Sequence, residues 1–295
     1  MSLPVKKIYI DSQFKTDSSP SSSQFTIEFP YSLTMPHNAI FTIDEISIPH
    51  AWYTVETDIN DRLYIQMLNT TNRQRSNIIA TVAPGNYNGT SFKVAVQAAL
   101  DAQVLPDTAA KLRVDFDPTT YTIGISNAAP NYQYTVLSDI EVANGLRGLW
   151  SAPGSGVSTN AITYGGYVDV ANIASINDVL RNLAVQTPLY GSTPYRSGFL
   201  NFNTLNNLYL SSPNLGTFTT MGTRGESTII KKVPVSAEYG YMIIDRSASI
   251  HDYLECGKCS LKTVDFELKD SRGRYVPLHG SNISFSIVFA IKSED

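Results

Sequence analysis

Residues 205–292 read LNNLYLSSPNL (205–215), STIIKKVPVS (227–236), YMIID (241–245), SLKTVDFELKD (260–270), RYVPL (274–278) and NISFSIVFAIK (282–292). These are short strand-like runs separated by turn residues. In residues 261–268, Leu261, Thr263, Asp265 and Glu267 alternate with Lys262, Val264, Phe266 and Leu268, so one face is apolar from Val264 onward. In residues 283–291, Ile283, Phe285, Ile287, Phe289 and Ile291 recur at period two. That period puts every second side chain on one face, as in a strand with one side on a core. Several such runs at roughly ten-residue spacing predict an antiparallel sandwich. No helix of useful length fits between them.

The same texture opens the chain. KKIYID is strand-like, FTIEF (25–29) alternates, and AIFTIDEISIPH (39–50) puts Ile40, Thr42, Asp44, Ile46 and Ile48 on one face. Between the first two runs lies SQFKTDSSPSSSQ, too polar to bury itself, so residues 1–23 read as a loop or as an N-terminal arm draped over something else. Pro30 and Pro36 bound a turn. Trp52, beside Tyr53, Pro49 and His50, is expected to pack at the sandwich end. The alternative is that His50 and Trp52 touch a ligand.

From residue 56 the pattern changes. A hairpin-like pair (63–68 and 78–82) leads into APGNYNGTS and a helix over 92–103, capped by Thr90 or Ser91, with Phe92, Val96, Ala99 and Leu100 on its apolar face. Pro106 ends it. LRVDFD and YTIGIS follow, joined through Asp117-Pro118, a turn signal, and then a run at 132–137. Residues 139–150 form a second helix candidate. A unit with its own apolar helix face does not belong inside a simple sandwich and reads as an insertion, which costs little where loop ends already meet. Residues 151–200 are Gly-, Ser- and Asn-rich, with a helix candidate at 175–183, and read as a long irregular connection. The expected organisation is a scaffold of 1–55 and 201–295 around an inserted α+β module of 56–200. No internal repeat is visible.

At 295 residues, 42% of them apolar, the chain can build a real core. Only 16% are charged, against roughly 25% in soluble domains. A surface poor in charge suits burial against partners; all-β proteins also favour Thr and Tyr for their own reasons. A net charge of −4 with no basic stripe argues against sequence-independent nucleic-acid binding through phosphates, and no specific nucleic acid is expected as a partner. The start shows no secretory h-region, and no apolar run approaches a transmembrane segment. The chain is expected to be soluble and made in the cytosol.

Cys256 and Cys259 form CGKC in a turn. A zinc site needs four ligands, and His251 and His279 do not supply a recognisable spacing. A thioredoxin-type pair belongs at a helix start, which is lacking here. Two structural thiols, a metal or redox pair and a labile disulfide all remain open. Asp115 and Asp117 alternate on a strand and can be read as flanking a sugar or calcium, or as turn formers. Asp265, Glu267 and Asp270 fit an exposed strand face, and His251-Asp252 has no supporting context. There is no G-x-S-x-G elbow, phosphate loop or dinucleotide fingerprint. No residue is assigned as catalytic, cofactor-binding or metal-ligating; no cofactor is expected, and the chain reads as a non-enzyme.

KKIYIDSQFKTDSSPSSSQFTIEFP and AIFTIDEISIPHAWYTVE, with NLYLSSPNL, STIIKKVPVS and LKTVDFELKDSRGRYVPLHGSNISFSIVFAIK, resemble the minor capsid (penton) proteins of Mavirus-type virophages and Polinton/Maverick-like elements. The resemblance covers residues 6–56 and 205–292. It implies a single jelly-roll antiparallel β-sandwich that forms a homopentamer at the fivefold vertices of an icosahedral capsid. Its implied partners are copies of itself and a double-jelly-roll major capsid protein, its place the virion, and its site of synthesis the host cytoplasm. The insertion becomes a natural contact for a host receptor or glycan. Two other readings stand beside it: a virion spike or attachment module, and a β-sandwich enzyme built on carboxylates such as Asp115 and Asp117.

Overall fold

A computed structural model of the chain describes residues 6–105, 110–127, 129–144, 174–182, 189–190, 193–215, 220–222, 227–247, 252–256 and 260–292. They form two compact units, one of residues 1–52 and 205–295, the other of residues 53–204.

The first unit begins with β1 (Lys6–Asp11), β2 (Gln24–Thr34) and β3 (Ala39–Pro49). The second contributes β4 (Arg62–Asn69), β5 (Arg75–Thr81), α1 (Gly89–Asp101), β6 (Leu112–Asp117), β7 (Thr122–Asn127), β8 (Tyr132–Val136), α2 (Asp139–Asn144), α3 (Asn177–Leu180), β9 (Leu189–Tyr190) and β10 (Tyr195–Arg196). The first unit resumes with β11 (Asn207–Ser211), β12 (Ile229–Pro234), β13 (Met242–Asp245), β14 (Leu254–Glu255), β15 (Ser260–Asp270) and β16 (Ser284–Ile291).

The pairing in the first unit is nested. Its first strand pairs its last (β1 with β16), and its second pairs its last but one (β2 with β15). Next, β3 pairs β13 and β14, and innermost β11 pairs β12, all antiparallel. A long antiparallel ribbon paired this way and rolled onto itself is a jelly roll. Its two sheets have the orders β1-β16-β3-β13, with β14 also on β3, and β12-β11-β15-β2. The second unit is attached between β3 and β11, the third and fourth strands of the ribbon.

The core between the sheets is apolar. Phe25 and Phe266 sit 5.5 Å apart in one sheet, and Phe266 meets Phe285 of the other edge-to-face at 4.9 Å. Two bulges tune the alternation. In β15 the register on β2 shifts between Leu261 and Thr263, so Leu261 is buried with Val264, Phe266 and Leu268. In β3, Glu45 pairs Ser286 while Ile43 pairs Ile287, leaving Asp44 as the extra residue. The inward set is therefore Ala39, Phe41 and Ile43, then Ile46 and Ile48. This corrects the strict alternation expected there: Ile40, Thr42 and Asp44 do not share a face with Ile46 and Ile48.

The N-terminal segment lies against the jelly roll over its described part. Residues 6–11 are a jelly-roll strand, and the Ser-rich stretch after it is tied down. Asp11 accepts from Gln13 N at 2.8 Å, Ser12 N donates to Ile283 O at 3.0 Å, and the buried Ser23 hydroxyl donates to Val276 O. Serine hydroxyls replace water on the backbone, which is how a polar segment becomes ordered.

The second unit has a four-stranded sheet, β5-β4-β8-β9, and a three-stranded sheet, β10-β7-β6. Its helix starts earlier than expected. The cap is Asn88, which accepts from Ser91 N at 2.9 Å while Ser91 Oγ accepts from Asn88 N at 3.0 Å, a reciprocal capping box. Phe92, Val96, Ala99 and Leu100 enter the core as the spacing requires. Within the stretch read as a long irregular connection, α3 falls inside the helix candidate of 175–183, and Ile176, Val179, Leu180, Tyr195 and Leu200 enter the core. Residues 151–173 and 183–188, and 145–150 of the second helix candidate, lie outside the described residues.

Candidate functional site

The residues that invited a chemical reading are occupied with structural work. Asp115 binds Arg196, Nη2 to Oδ2 at 2.7 Å. Asp117 accepts from Thr119 N and Thr120 Oγ1, both at 2.8 Å, and closes the turn after β6. Hydrogen bonds from the Thr120 hydroxyl and the Thr119 amide hold its carboxyl below the usual range, the opposite of what a general acid needs. The turn reading of Asp117 is the one its geometry supports.

His50 stacks on buried Trp52 with ring centroids 4.1 Å apart, and its Nδ1 lies 2.8 Å from Ala237 O, which makes Nδ1 the protonated nitrogen. Its backbone N–H donates to Tyr241 O and its carbonyl accepts from Gly240 N. The pair pins the turn before β13. Cys256 is buried, and its N–H donates to Ala39 O at 3.1 Å; Cys259 and His251 lie outside the described residues. His279 sits in a turn at φ 46. Among the described residues no group of three or more His, Cys, Asp or Glu is placed to hold a metal, and no helix is long and apolar enough to cross a membrane.

Three acids of β15 are likewise engaged. Asp265 accepts from Thr26 Oγ1 at 2.6 Å and Asn214 Nδ2 at 3.0 Å. Glu267 takes Lys269 Nζ at 2.6 Å and the Tyr275 hydroxyl at 2.9 Å. Burial, then the Glu267 carboxylate, pushes the Tyr275 phenol up to about 12. Asp270 closes its turn on Arg274 at 2.7 Å.

No protein-family model matches the chain, and no curated protein does. Among solved structures it is similar to the crystal structure of selenomethionine-labelled mavirus penton protein. That likeness has 9% identity over 97% of this chain and 100% of the other, with a TM-score of 0.47. It is similar also to a chain of the Sputnik virophage cryo-EM structure, with 12% identity over 96% of this chain and 97% of the other, at 0.37.

The jelly-roll unit is distinctive in its surfaces. Both edges of the β1-β16-β3-β13 sheet carry exposed apolar side chains, which a water-facing edge ordinarily avoids. At one edge Tyr9 is 77% and Phe14 75% exposed; they border a shallow groove of about 380 Å³ floored by Ser47, Ser284 and Ser286. At the other, Tyr241, Met242 and Ile244 are 68%, 47% and 51% exposed. The second edge is braced from beneath. Lys231 Nζ of β12 lies 3.7 Å from Asp245 Oδ2 of β13 and donates to Ser247 O. Burial works against the Asp245 charge, but hydrogen bonds from Ser247 and the charge of Lys231 outweigh it and hold the carboxyl below its ordinary value. Period two made the buried faces of these strands legible. It did not say that the outward residues of β13 would be apolar and uncovered, although Tyr241, Met242, Ile243 and Ile244 in succession are a run too apolar for a one-faced strand.

Proposed function

We propose that this protein is a structural minor capsid (penton) subunit, a jelly roll that closes into a homopentamer at the fivefold vertices of an icosahedral capsid. The observation that carries this reading is the pair of unlike apolar clusters, Tyr9 with Phe14 and Tyr241 with Met242 and Ile244, on opposite edges of one sheet. A ring of identical chains needs two different patches per chain, one for each neighbour. The number five, the vertex and the surrounding double-jelly-roll major capsid protein come from the resemblance of residues 6–56 and 205–292 to virophage-type penton proteins. On this reading the chain resides in the virion, is made in the host cytoplasm, and has no catalytic role.

The test is electron microscopy of the chain mixed with its major capsid protein. Rings of five are expected, and Ile244→Lys should abolish them while leaving circular dichroism unchanged. Failure to form fivefold assemblies in the mixture overturns the reading.

A second role is favoured by the core that residues 53–204 build for themselves. A unit with its own core can be an attachment module for a host receptor or glycan. Replacing residues 56–200 by a short Gly/Ser linker should then remove attachment and leave ring formation intact; loss of rings contradicts the separation.

A further inference from the structure

One groove in the second unit gathers four cations, Lys93, Lys111, Arg113 and Arg196, against two carboxylates, in a chain whose net charge is −4. It measures about 710 Å³ and lies over the outward face of the β10-β7-β6 sheet, with α1 as one wall. The wall is set by Gln97. Its Nε2 donates to Leu112 O at 3.1 Å and its Oε1 accepts from Val114 N at 2.8 Å, so one side chain completes the free edge of β6. Lys93 and Asp101, four residues either side, fall on the same helix face and line the groove.

The floor follows from the register. Asp115 and Arg196 both lie beside Gly124 of the central strand, and Arg113 beside Ser126. The absence of a side chain at Gly124 leaves room for that pair: a Cβ there would fall 1.8 Å from Asp115 Oδ1 and 2.7 Å from Arg196 Nη1, so the two side chains would have to move. Lys93, Lys111 and Arg113 line the groove with Leu112, Val114 and Pro194, and among the described residues none of the three cations has a carboxylate partner. Three unpaired cations facing one concavity raise the local concentration of anions there.

We infer that this groove binds an anionic polysaccharide, a polyhydroxylated chain carrying sulfate or carboxylate groups. The cations take the anionic groups. Asp101, Asp115 and Ser126 offer oxygen acceptors for sugar hydroxyls, which are donors as well as acceptors. A nucleic acid fits less well, because two carboxylates oppose its phosphates and no described residue of the lining is aromatic, so bases have no stacking platform. The inference is independent of ring formation, which concerns the other unit.

The experiment uses the full chain and four probes: heparin (sulfated), polygalacturonate (carboxylated), dextran (neutral) and a single-stranded oligonucleotide. Biolayer interferometry at about 0.1 M salt, where the Debye length is about 10 Å, keeps local charge contacts visible. Binding to heparin or polygalacturonate is expected, identifying the sulfated or the carboxylated source, with none to dextran. Lys111→Gln with Arg113→Gln should weaken it by about tenfold or more, since two charge-assisted contacts are lost. Lys15→Gln with Lys232→Gln, an equal change in net charge on the other unit, should change it less than about twofold. Three results overturn the inference: no binding to either anionic glycan, equal loss from both pairs of substitutions, or oligonucleotide binding as tight as glycan binding. Native mass spectrometry of each variant reports ring formation separately.

Discussion

The jelly roll and the unit of residues 53–204 solve the same problem by different means. The jelly roll closes its core with apolar side chains at period two, joined across the sheets by Phe266 and Phe285. The other unit pins its elements with buried polar side chains. The Tyr134 hydroxyl alone lies within hydrogen-bond reach of both Ile125 O and Thr193 O, which share its one hydrogen, and accepts from Tyr195 N at 2.8 Å, tying β7 and β10 to β8. Asn177 Nδ2 reaches Leu137 O at 2.9 Å and Asp139 Oδ1 at 2.8 Å, and Asn182 Nδ2 reaches Val136 O at 3.3 Å. The Ser197 hydroxyl accepts from Ile123 N at 3.0 Å. Short strands leave many backbone groups unpaired, and a buried unpaired group is costly, so side-chain amides and hydroxyls take those places.

The contrast can be broken at either side. Phe266→Ala should cost about 3–5 kcal/mol, as expected for a buried aromatic at the meeting point of two sheets. Hydrogen exchange should place the loss in 24–34, 207–211 and 260–291; protection lost equally in 62–81 would contradict the division into two cores. Tyr134→Phe keeps the ring and removes one hydroxyl, yet should cost about 1–3 kcal/mol, because partners are left buried and unsatisfied. A change near zero in chemical denaturation would show that this unit too rests on apolar packing. Asn88→Ala should cost about 1 kcal/mol through loss of the helix cap, seen as faster exchange at 89–92 with little change in the jelly roll.

The smallest effect concerns pH. The Asp245 carboxyl is held below its ordinary value of 3.8 in the fold. Its contribution is present above the unfolded pKa and is lost as pH falls through the lower, folded one. Replacing the pair together, Lys231→Met with Asp245→Asn, leaves no buried charge behind and should make stability fall less steeply with acid. An unchanged acid limb in an equilibrium unfolding series would remove the pair from the account of the β13 edge.

The two units also differ in how far they could be read beforehand. Ile283, Phe285, Ile287 and Phe289 announce an inward face because burial on one side of a pleated strand leaves a periodic trace. A bulge moves that trace by one residue without any sign in composition, which is why Asp44 in β3 and the step from Leu261 to Val264 were invisible. Hydrogen-bonding roles leave no period at all. Tyr134 sits in a run legible as a strand, and Asn177 and Asn182 in a helix candidate, but no pattern says what their polar groups bond, and Tyr195 and Leu200 lie in a stretch whose overall composition reads as irregular. The candidate surfaces divide in the same way. Carboxylates drew attention as single residues, whereas the two apolar edges and the cationic groove arise only when register brings Tyr9 near Ser286, or Asp115 and Arg196 beside Gly124.

The central claim is that two unlike edges of one sheet join neighbouring chains in a ring. Tyr9→Lys with Phe14→Lys removes one edge, and Met242→Lys with Ile244→Lys removes the other. Native mass spectrometry after cross-linking should find rings of five in the unaltered chain and monomers in either variant alone. The two variants mixed should give heterodimers, because each supplies the edge the other lacks. Homodimers of either variant alone, or rings surviving in one of them, would contradict the account.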